Sequence, residues 1–490
     1  MDTVGLLLQG FAQALTPQNL LFALLGSVLG TLVGVLPGIG PTSGIAILLP
    51  LTSFLPPTPA IIMLAAIYYG AMYGGSTTAI LVNVPGEVAS VVTTMDGYQM
   101  ARQGRAGPAL AIAAISSFVA GTLGLVGLTF FAPPLADLAL RIGPPEYFGL
   151  VVLAFSVVVS MSGPSLVKGL SAAALGALVA LVGLDPMSGV RRFTLGTTTL
   201  LGGVDFIAVI IGLFAITEAL LGVEQRVGAV ALARLGRLLP TREEMSRCLA
   251  TMVRATGVGF ALGLLPGCTP GAISFISYDV ERRWSRTPER FGRGAIEGVA
   301  APEGANNATT SAGFVPLFAL GLPATPALAV LLSGLMIYGL QPGPLLFEKQ
   351  AAFVWTVIAS MYVGNVMLLV LNLPLVGLWA QLCRVPYAMM APLILLFSVL
   401  GAFSVRNSLT DVGMALVFGA LGYGMVKLGY PTAPLVLALI LTPMLEQALR
   451  QSLGMSHGDP LILVTRPGAA VLIAAGLTLT AWTLIARHRR

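Results

Sequence analysis

Small polar residues beside Pro-Gly turns carry the chemistry that this sequence offers. A helix broken at such a turn presents backbone N–H groups and a positive dipole end to an anion, and carbonyl groups to a cation. Glycine lets a ligand reach the backbone, while Ser, Thr and Asn add neutral contacts. We predict that an anion is bound by Gly38, Pro41, Thr42, Ser43, Gly75, Ser76, Thr77 and Thr78 in the first half of the chain and by Gly267, Thr269, Gly271, Thr309 and Thr310 in the second. A cation is predicted at Asn83, Asn306 and Asn307.

The composition places these residues in a membrane. Charged residues make up 9% of the 490 residues, against roughly 25% in a soluble domain. Hydrophobic residues make up 56%, and the mean hydropathy is +0.91. Such a chain cannot cover its surface with charge, which excludes a soluble enzyme, a nucleic-acid binder and a disordered scaffold. The 58 Gly and 33 Pro indicate broken helices, which lipid tolerates only where protein or a water-filled cavity covers the freed backbone.

Apolar stretches long enough to cross a bilayer recur along the chain. We predict an all-α polytopic membrane protein with about 10–14 membrane segments, since a span needs about 20 apolar residues. Uninterrupted stretches lie near 108–131, 147–160, 165–184, 203–222, 351–377, 386–404, 411–427, 431–446 and 468–486. Interrupted stretches lie near 20–52, 59–97, 255–280 and 294–340.

The interrupted stretches match each other. Gly30, Gly34, Pro37, Gly38 and Pro41 reappear as Gly259, Gly263, Pro266, Gly267 and Pro270. Further on, Ser76-Thr77-Thr78, Val84-Pro85 and Gly97 have the counterparts Ala308-Thr309-Thr310, Leu322-Pro323 and Gly334. The order of landmarks is kept, which predicts an internal duplication.

Loop charge indicates that the two repeats are inverted. The loop 51–59 is uncharged and 97–107 is basic, whereas in the second half 281–293 holds five Arg and 340–350 has one Lys beside Glu348. The basic bias has changed ends, so the repeats face opposite ways under the positive-inside rule. Four arginines do not follow the positive-inside rule, because this topology places them on the outer side. They are Arg191, Arg192, Arg450 and Arg466.

The predicted organisation follows from this inversion. Residues 1–222 form the first inverted repeat, with a Pro/Gly-tipped re-entrant hairpin over 20–52 and a broken segment over 59–97. Residues 223–254 form a cytoplasmic Arg-rich connector. Residues 255–490 form the second repeat, with a hairpin over 255–280 and a broken segment over 294–340. Opposed hairpins followed by broken helices are typical of the central site of a secondary transporter.

Structural interpretations stay open beside the functional ones. Gly26, Gly30 and Gly34 at four-residue spacing favour close helix packing, and the turn glycines Gly38 and Gly267 could serve only backbone angles. Asn306 and Asn307 could join helices by hydrogen bonds, although burying two amides favours a functional use.

Three carboxyls near membrane depth have two open interpretations. Glu87, Glu297 and Glu303 could be functional, or each could cap a half-helix at the Pro or Gly break beside it. Cys268 is predicted to be a small turn residue.

Enzymatic and metal chemistry find little support. The membrane-depth segments have no His and no HExxH or GxSxG pattern, so no catalytic residues are predicted. His457 and His488 are the only histidines, and the three cysteines form no CxxC pair. No metal site and no cofactor are therefore expected.

Longer motifs carry a family resemblance. These are Pro266-Gly-Cys-Thr-Pro-Gly271, Glu281-Arg-Arg-Trp-Ser285, the run from Phe291 to Glu303, Asn306-Asn307, Asn83-Val-Pro-Gly-Glu87 and Asp96-Gly-Tyr-Gln-Met-Ala101. With them the chain resembles, over nearly its whole length, the large membrane (permease) subunit of the tripartite tricarboxylate transporters. It departs from that family at Gly321-Leu-Pro-Ala-Thr-Pro326, where a Gly-Ile-Pro-Gly-Ser type of run is common, and at Cys268-Thr269.

The resemblance implies a multi-pass permease of the bacterial inner membrane that works with a small membrane subunit and a periplasmic solute-binding protein. Such a system imports citrate or related di- and tricarboxylates by symport with a cation, usually sodium. The predicted contacts are thus a small organic anion, the coupling ion and the lipid bilayer, with no nucleic acid. Two alternatives remain at this point, a passive anion channel and a transporter of another small solute.

Overall fold

The fold is predominantly helical in the residues that the structure describes. This computed structural model describes residues 3–36, 39–52, 54–160, 165–224, 236–265, 267–382 and 387–488. Its strands are β1 (Gly183–Leu184) and β2 (Arg191–Arg192), which pair antiparallel. The first-half helices are α1 (Thr3–Ala14), α2 (Pro17–Val35), α3 (Gly40–Thr52), α4 (Pro57–Val82), α5 (Val91–Arg102), α6 (Ala106–Leu140), α7 (Pro144–Ser160), α8 (Leu166–Ala180), α9 (Phe206–Ile210) and α10 (Thr217–Glu224), with a π-helical turn, Ile211–Ile216, between the last two.

The second half continues in the same manner. Its helices are α11 (Arg242–Gly263), α12 (Pro270–Trp284), α13 (Glu297–Ala312), α14 (Phe314–Leu320), α15 (Pro326–Ile337), α16 (Pro344–Lys349), α17 (Ala351–Asn372), α18 (Val376–Leu382), α19 (Tyr387–Arg406), α20 (Leu409–Lys427), α21 (Ala433–Met455), α22 (Ile462–Thr465) and α23 (Pro467–His488). Short 3-10 turns at Val88–Ser90 and Pro288–Arg290 precede α5 and α13.

Helix length and composition confirm an all-α polytopic membrane protein. Within the described ranges seven helices are long and apolar enough to cross a membrane, and five shorter helices are also apolar. Each uninterrupted stretch predicted from the sequence coincides with a helix. The hydrophobic pattern sufficed here because a span must satisfy its backbone internally.

The chain divides into two compact units. One comprises Met1–Leu135 with Glu218–Gly401, and the other comprises Ala136–Thr217 with Ala402–Arg490. Each unit thus combines chain from both predicted repeats. The predicted connector 223–254 is described only at 223–224 and 236–254, and α11 begins inside it at Arg242.

Helix breaks fall where the sequence places its Pro and Gly residues. Thr-Pro pairs open α2, α12 and α15, because proline has the helical φ and lacks only an N–H that the first turn leaves unpaired. Helix α4 ends at Asn83 and α14 ends at Gly321, both left-handed with φ of 59° and 73°. The chain then bends before the next helical turn at both places.

Matched glycine ladders hold the first unit together. A Cβ on Gly30 would lie 2.5 Å from the Ile67 carbonyl oxygen, and one on Gly259 would press on the Ala305 carbonyl oxygen. Gly34 faces Ala71 and Gly263 faces Thr309 in the same manner. Ile67 and Ala305, which face the first glycine of each ladder, are 238 positions apart in the chain, and so are Ala71 and Thr309. The packing interpretation of these glycines therefore fits the structure, and the contacts favour a duplication with this spacing.

The spacing of 238 residues applies from α4 onward, after a spacing of 229 in the glycines before it. It changes two matches made from the sequence, that of Gly97 with Gly334 and that of Ser76-Thr77-Thr78 with Ala308-Thr309-Thr310. Val84-Pro85 and Leu322-Pro323 agree with it, as do the left-handed residues Asn83 and Gly321. Ser76-Thr77-Thr78 does not, because Ser76 then corresponds to Phe314. Short runs of Ser and Thr recur too readily to define a repeat, whereas glycines pressed against a facing backbone have no substitute.

The second unit explains three of the arginines that do not follow the positive-inside rule. Arg192 and Arg450 both pair with Asp185 and Glu446, and Arg466 lies 3.7 Å from Glu146. Although desolvation opposes it, hydrogen bonds from the Met187 N–H and the Arg192 guanidinium hold the pKa of Asp185 well below its ordinary range. These arginines neutralise local carboxylates, so their position follows from pairing as well as from topology.

Candidate functional site

Helix α13 brings the candidate site into the core of the first unit. Every residue from Gly298 to Ala312 is buried. Glu303, Asn306 and Asn307 follow each other at i, i+3 and i+4, which places them on one helix face. Serine hydroxyls of α6 and α12 donate to the α13 carbonyl oxygens of residues 300–302 around the helix-interior Pro302. Interhelical hydrogen bonds of this kind fix the helix next to its neighbours.

Two buried carboxyls face each other across the repeats. Glu87 accepts from the Ala89 N–H at 2.5 Å, which caps the 3-10 turn before α5, and from Asn306 Nδ2 at 3.4 Å. Glu303 accepts from the Thr93 hydroxyl. Glu303 lies inside α13 and therefore caps nothing, while Glu297 occupies the first turn of α13. Of the three carboxyls, Glu87 alone is seen to cap a helical turn through its side chain.

Oxygen atoms without a hydrogen-bond donor gather beside these carboxyls. Within the described residues they include Glu303 Oε2, Asn306 Oδ1, Asn307 Oδ1 and Ser76 Oγ. No Lys or Arg among the described residues pairs with Glu87 or Glu303. We call Ser76, Glu87, Glu303, Asn306 and Asn307 the polar cluster. Its two carboxyls have no positive counter-charge and its two amide oxygens have no donor, which favours a cation over an anion.

The predicted α4 residues all lie in the core. Gly75, Ser76, Thr77 and Thr78 are buried near the end of the helix. A Cβ on Gly75 would lie 2.8 Å from Glu87 Cγ, so only glycine admits that carboxyl. The Ser76 hydroxyl lies beside the Glu303 carboxyl. Of this group, Ser76 belongs to the polar cluster and Gly75 lies against it.

The predicted α13 residues divide into two kinds. The Thr309 hydroxyl contacts the carbonyl oxygens of Ala305 and Gly259, at 2.7 and 3.1 Å, and the Thr310 hydroxyl donates to Asn306 O at 2.9 Å. These two hydroxyls would have to leave backbone partners to hold an anion. Asn307 Nδ2 donates to Ser117 Oγ at 2.7 Å and to Glu303 O at 3.1 Å, while its oxygen stays without a donor.

The predicted turn residues lie at the starts of α3 and α12. Pro41, Thr42 and Ser43 form the first turn of α3, where Ser43 is buried. Thr269 caps α12 through the Ala272 N–H.

Two further turn glycines lie at close contacts. Gly267 is left-handed, with φ of 89°, and donates to Ala324 O at 2.9 Å. A Cβ on Gly271 would lie 2.8 Å from Val88. Gly38 lies outside the described residues.

Asn83 stands apart from the other two asparagines. It is exposed, whereas Asn306 and Asn307 are at most 1% exposed. Its left-handed conformation ends α4, a conformation that Asn adopts more readily than other side-chain-bearing residues. The structure thus gives Asn83 a backbone role, and its predicted ion contact stays a prediction.

Asp96 is a structural residue that the site prediction did not include. It is fully buried and accepts from the Tyr278 hydroxyl and from the N–H groups of Gly294 and Ala295, at 2.7–2.8 Å. These bonds join α5 to the segment before α13. The only signal in the sequence was a lone Asp at the start of an otherwise neutral motif, Asp96 to Ala101.

Two cross-repeat contacts repeat each other at the 238-residue spacing. Tyr68 OH lies 3.3 Å from Thr325 Oγ1, and Asn306 contacts Glu87. Tyr68 corresponds to Asn306, and Glu87 corresponds to Thr325. A contact in which partners exchange repeats is what a two-fold relation between repeats produces.

Apolar spanning helices, broken segments and a buried polar cluster together define a polytopic membrane protein built in the manner of a transporter. The model of the tripartite tricarboxylate transporter TctA family matches residues 20–437. The chain belongs to this family.

Relatives in Agrobacterium vitis agree with the family match. The chain is 45% identical to an uncharacterized 52.8 kDa protein in the TAR-I ttuC' 3' region, over 97% of this chain and 95% of the relative. It is also 45% identical to an uncharacterized protein in the TAR-II ttuC' 3' region, over 45% of this chain and 90% of the relative. A mutant manganese transporter from Eremococcus coleocola aligns over 95% of each chain at 14% identity with a TM-score of 0.13, from which nothing follows.

Proposed function

We propose that this protein is the large permease subunit of a binding-protein-dependent secondary transporter that imports di- or tricarboxylate anions by cation-coupled alternating access. It would receive its substrate from a periplasmic solute-binding protein and work with a small membrane subunit in a bacterial inner membrane. The observation that carries the proposal is the family match over 20–437, which includes both broken segments and the polar cluster.

The charge distribution separates the anion from the cation. Two carboxyls and several oxygens without donors repel a carboxylate, so the polar cluster suits the cation. The first turns of α3 and α12 suit the anion, because N–H groups at helix starts face outward with the positive dipole end. Pro41, Thr42 and Ser43 in one turn and Gly267, Thr269 and Gly271 in the other are the proposed anion contacts.

Uptake into proteoliposomes tests the proposal. The protein is reconstituted with its small membrane subunit and supplied with the binding protein encoded beside it. Labelled citrate and other di- and tricarboxylates are then offered under an inward sodium, potassium or proton gradient. We expect accumulation of one carboxylate above equilibrium, only with binding protein and one cation gradient. Downhill flux without a gradient would indicate a passive channel, and no flux of any carboxylate would indicate another solute.

A second measurement separates transport from folding. Asn307→Ala is expected to insert in the membrane at the wild-type level and to lose uptake. Ser116→Ala is the matched control, because it removes a 2.6 Å hydrogen bond between α6 and α13 without touching the polar cluster. Equal losses in both variants would reduce Asn307 to a contact between α13 and α6. Wild-type uptake from Asn307→Ala would remove it from the site.

A further inference from the structure

Two buried acceptor oxygens of the polar cluster have no hydrogen-bond donor among the described residues, and a serine hydroxyl lies next to one of them. Glu303 Oε2 and Asn306 Oδ1 belong to one face of α13, one turn apart, and the Ser76 hydroxyl lies beside the Glu303 carboxyl. All three side chains are at least 96% buried. A fourth group, the Glu87 carboxyl, is held against Asn306 at 3.4 Å.

The chemistry of these atoms selects the ligand. A buried oxygen without a partner is costly, and a buried carboxylate without a counter-charge costs more. An anion would add repulsion. A hydrogen bond from the Ser76 hydroxyl to Glu303 still leaves the carboxylate charge and the Asn306 oxygen unpaired, whereas a small hard cation contacts all three oxygens at once. The amide oxygen of Asn306 is a good cation ligand and is not protonated at neutral pH.

The charge of the set selects a monovalent ion. Among the described residues no group of three His, Cys, Asp and Glu side chains could hold a metal ion. One carboxyl, Glu87, is already occupied by the Ala89 N–H and by Asn306. The oxygens assigned to the ion are therefore those of one carboxylate, one amide and one hydroxyl, with a single negative charge among the three. The Asn307 oxygen, which also lacks a donor, stays outside this set.

We propose that Glu303, Asn306 and Ser76 form a sodium site, with Glu87 as the carboxyl that holds Asn306 in place. If the proposed function holds, this is its coupling site, and this role rests on that function. The site joins α4 of the first repeat to α13 of the second. Ion binding would therefore stabilise the packed arrangement of the two broken segments.

Sodium binding to the purified full-length protein tests the site without transport. Binding of ²²Na⁺ in lipid nanodiscs is measured against unlabelled Na⁺, Li⁺, K⁺ and choline at constant ionic strength. We expect saturable binding that sodium displaces best. Glu303→Gln, Asn306→Ala and Ser76→Ala should each raise the half-saturating sodium concentration at least tenfold.

Matched variants control for general damage. Glu281→Gln changes a buried carboxyl that is paired with Arg254, and Asn365→Ala changes a buried amide whose groups contact Tyr73, Phe118 and Thr122. Both controls should bind sodium as the wild type does. Monodisperse elution in size-exclusion chromatography shows which variants are folded. If Glu303→Gln does not fold, sodium binding by the wild type still decides whether a sodium site exists.

The outcomes separate this inference from the proposed function. No saturable sodium binding by the wild type, or unchanged binding by all three folded site variants, overturns the site. Binding of protons in place of sodium, seen as pH-dependent stability with no sodium effect, also overturns it. Sodium binding at the site without uptake of any carboxylate leaves the site standing and sinks the proposed function.

Discussion

The polar cluster draws residues from both predicted repeats, and the residues at the equivalent positions have the opposite chemistry. At the 238-residue spacing Ser76, Glu87, Glu303, Asn306 and Asn307 correspond to Phe314, Thr325, Ala65, Tyr68 and Tyr69. Among these equivalent residues, the ring centroids of Tyr68 and Tyr69 lie 6.2 and 6.3 Å from the ring centroid of Phe314. We call these three rings the aromatic cluster. The Tyr69 hydroxyl donates to Ser311 at 2.8 Å, so its polar atom is satisfied.

On the predicted duplication, the difference means that only one of two equivalent positions carries the proposed site. The backbone breaks and glycine contacts are shared, because packing and chain direction require them in both repeats. The side chains are not shared. Aromatic rings pack together at one position, while short polar groups at the other leave buried oxygens without a hydrogen-bond donor. We expect the aromatic cluster to contribute mainly stability and the polar cluster mainly ion binding.

The largest expected effect on stability lies in the aromatic cluster. Phe314→Ala should lower the free energy of unfolding by about 3–5 kcal/mol, because it empties a fully buried ring position. Denaturant unfolding in micelles measures this. Ser76→Ala, at the equivalent position, should change stability by less than about 1 kcal/mol and lose sodium binding. A sodium defect in Phe314→Ala equal to that of Ser76→Ala would contradict the division of roles.

The glycine ladders should respond alike in both repeats. Gly30→Ala and Gly259→Ala should each cost about 1–3 kcal/mol, since the added Cβ meets a facing carbonyl oxygen. Gly257→Ala is the control, because no atom lies within 4 Å of its Cβ position, and it should gain up to about 1 kcal/mol from helix propensity. Unfolding of the three variants side by side measures this. Unequal losses in the first two would argue against equivalent packing.

A smaller effect is expected for the two cross-repeat contacts. Tyr68→Phe removes the hydroxyl beside Thr325 and should cost about 0.5–1.5 kcal/mol with sodium-dependent uptake retained. Asn306→Ala removes the equivalent contact and should abolish that uptake. Loss of uptake in Tyr68→Phe would show that the aromatic position also takes part in transport.

The smallest effect is expected at the left-handed helix ends. Asn83→Gly should change stability by no more than about 1 kcal/mol, since glycine adopts φ near 59° without strain. Uptake should be retained, as an exposed capping residue predicts. A loss of sodium binding in Asn83→Gly would restore its predicted ion contact.

Local signals in the sequence were enough for the helices, the breaks and the polar residues of α4 and α13. A span, a Pro-Gly turn and a Thr-Pro helix start each depend on neighbours in the chain, so periodicity and composition predict them. The spacing of the duplication was less certain, because Ser-Thr-Thr runs recur by composition. The sequence places carboxyls beside the breaks, but it does not distinguish a capping role from a functional one.

What the sequence determined by itself was an all-helical membrane protein with matched, broken segments and a small set of candidate polar residues. Only the tertiary structure decided which of them act together. Asn306 meets Glu87 across 219 residues and Thr93 meets Glu303 across 210, and no local pattern encodes such partners. Whether a buried oxygen has a donor depends on every helix packed around it, and this is a property of the assembled core.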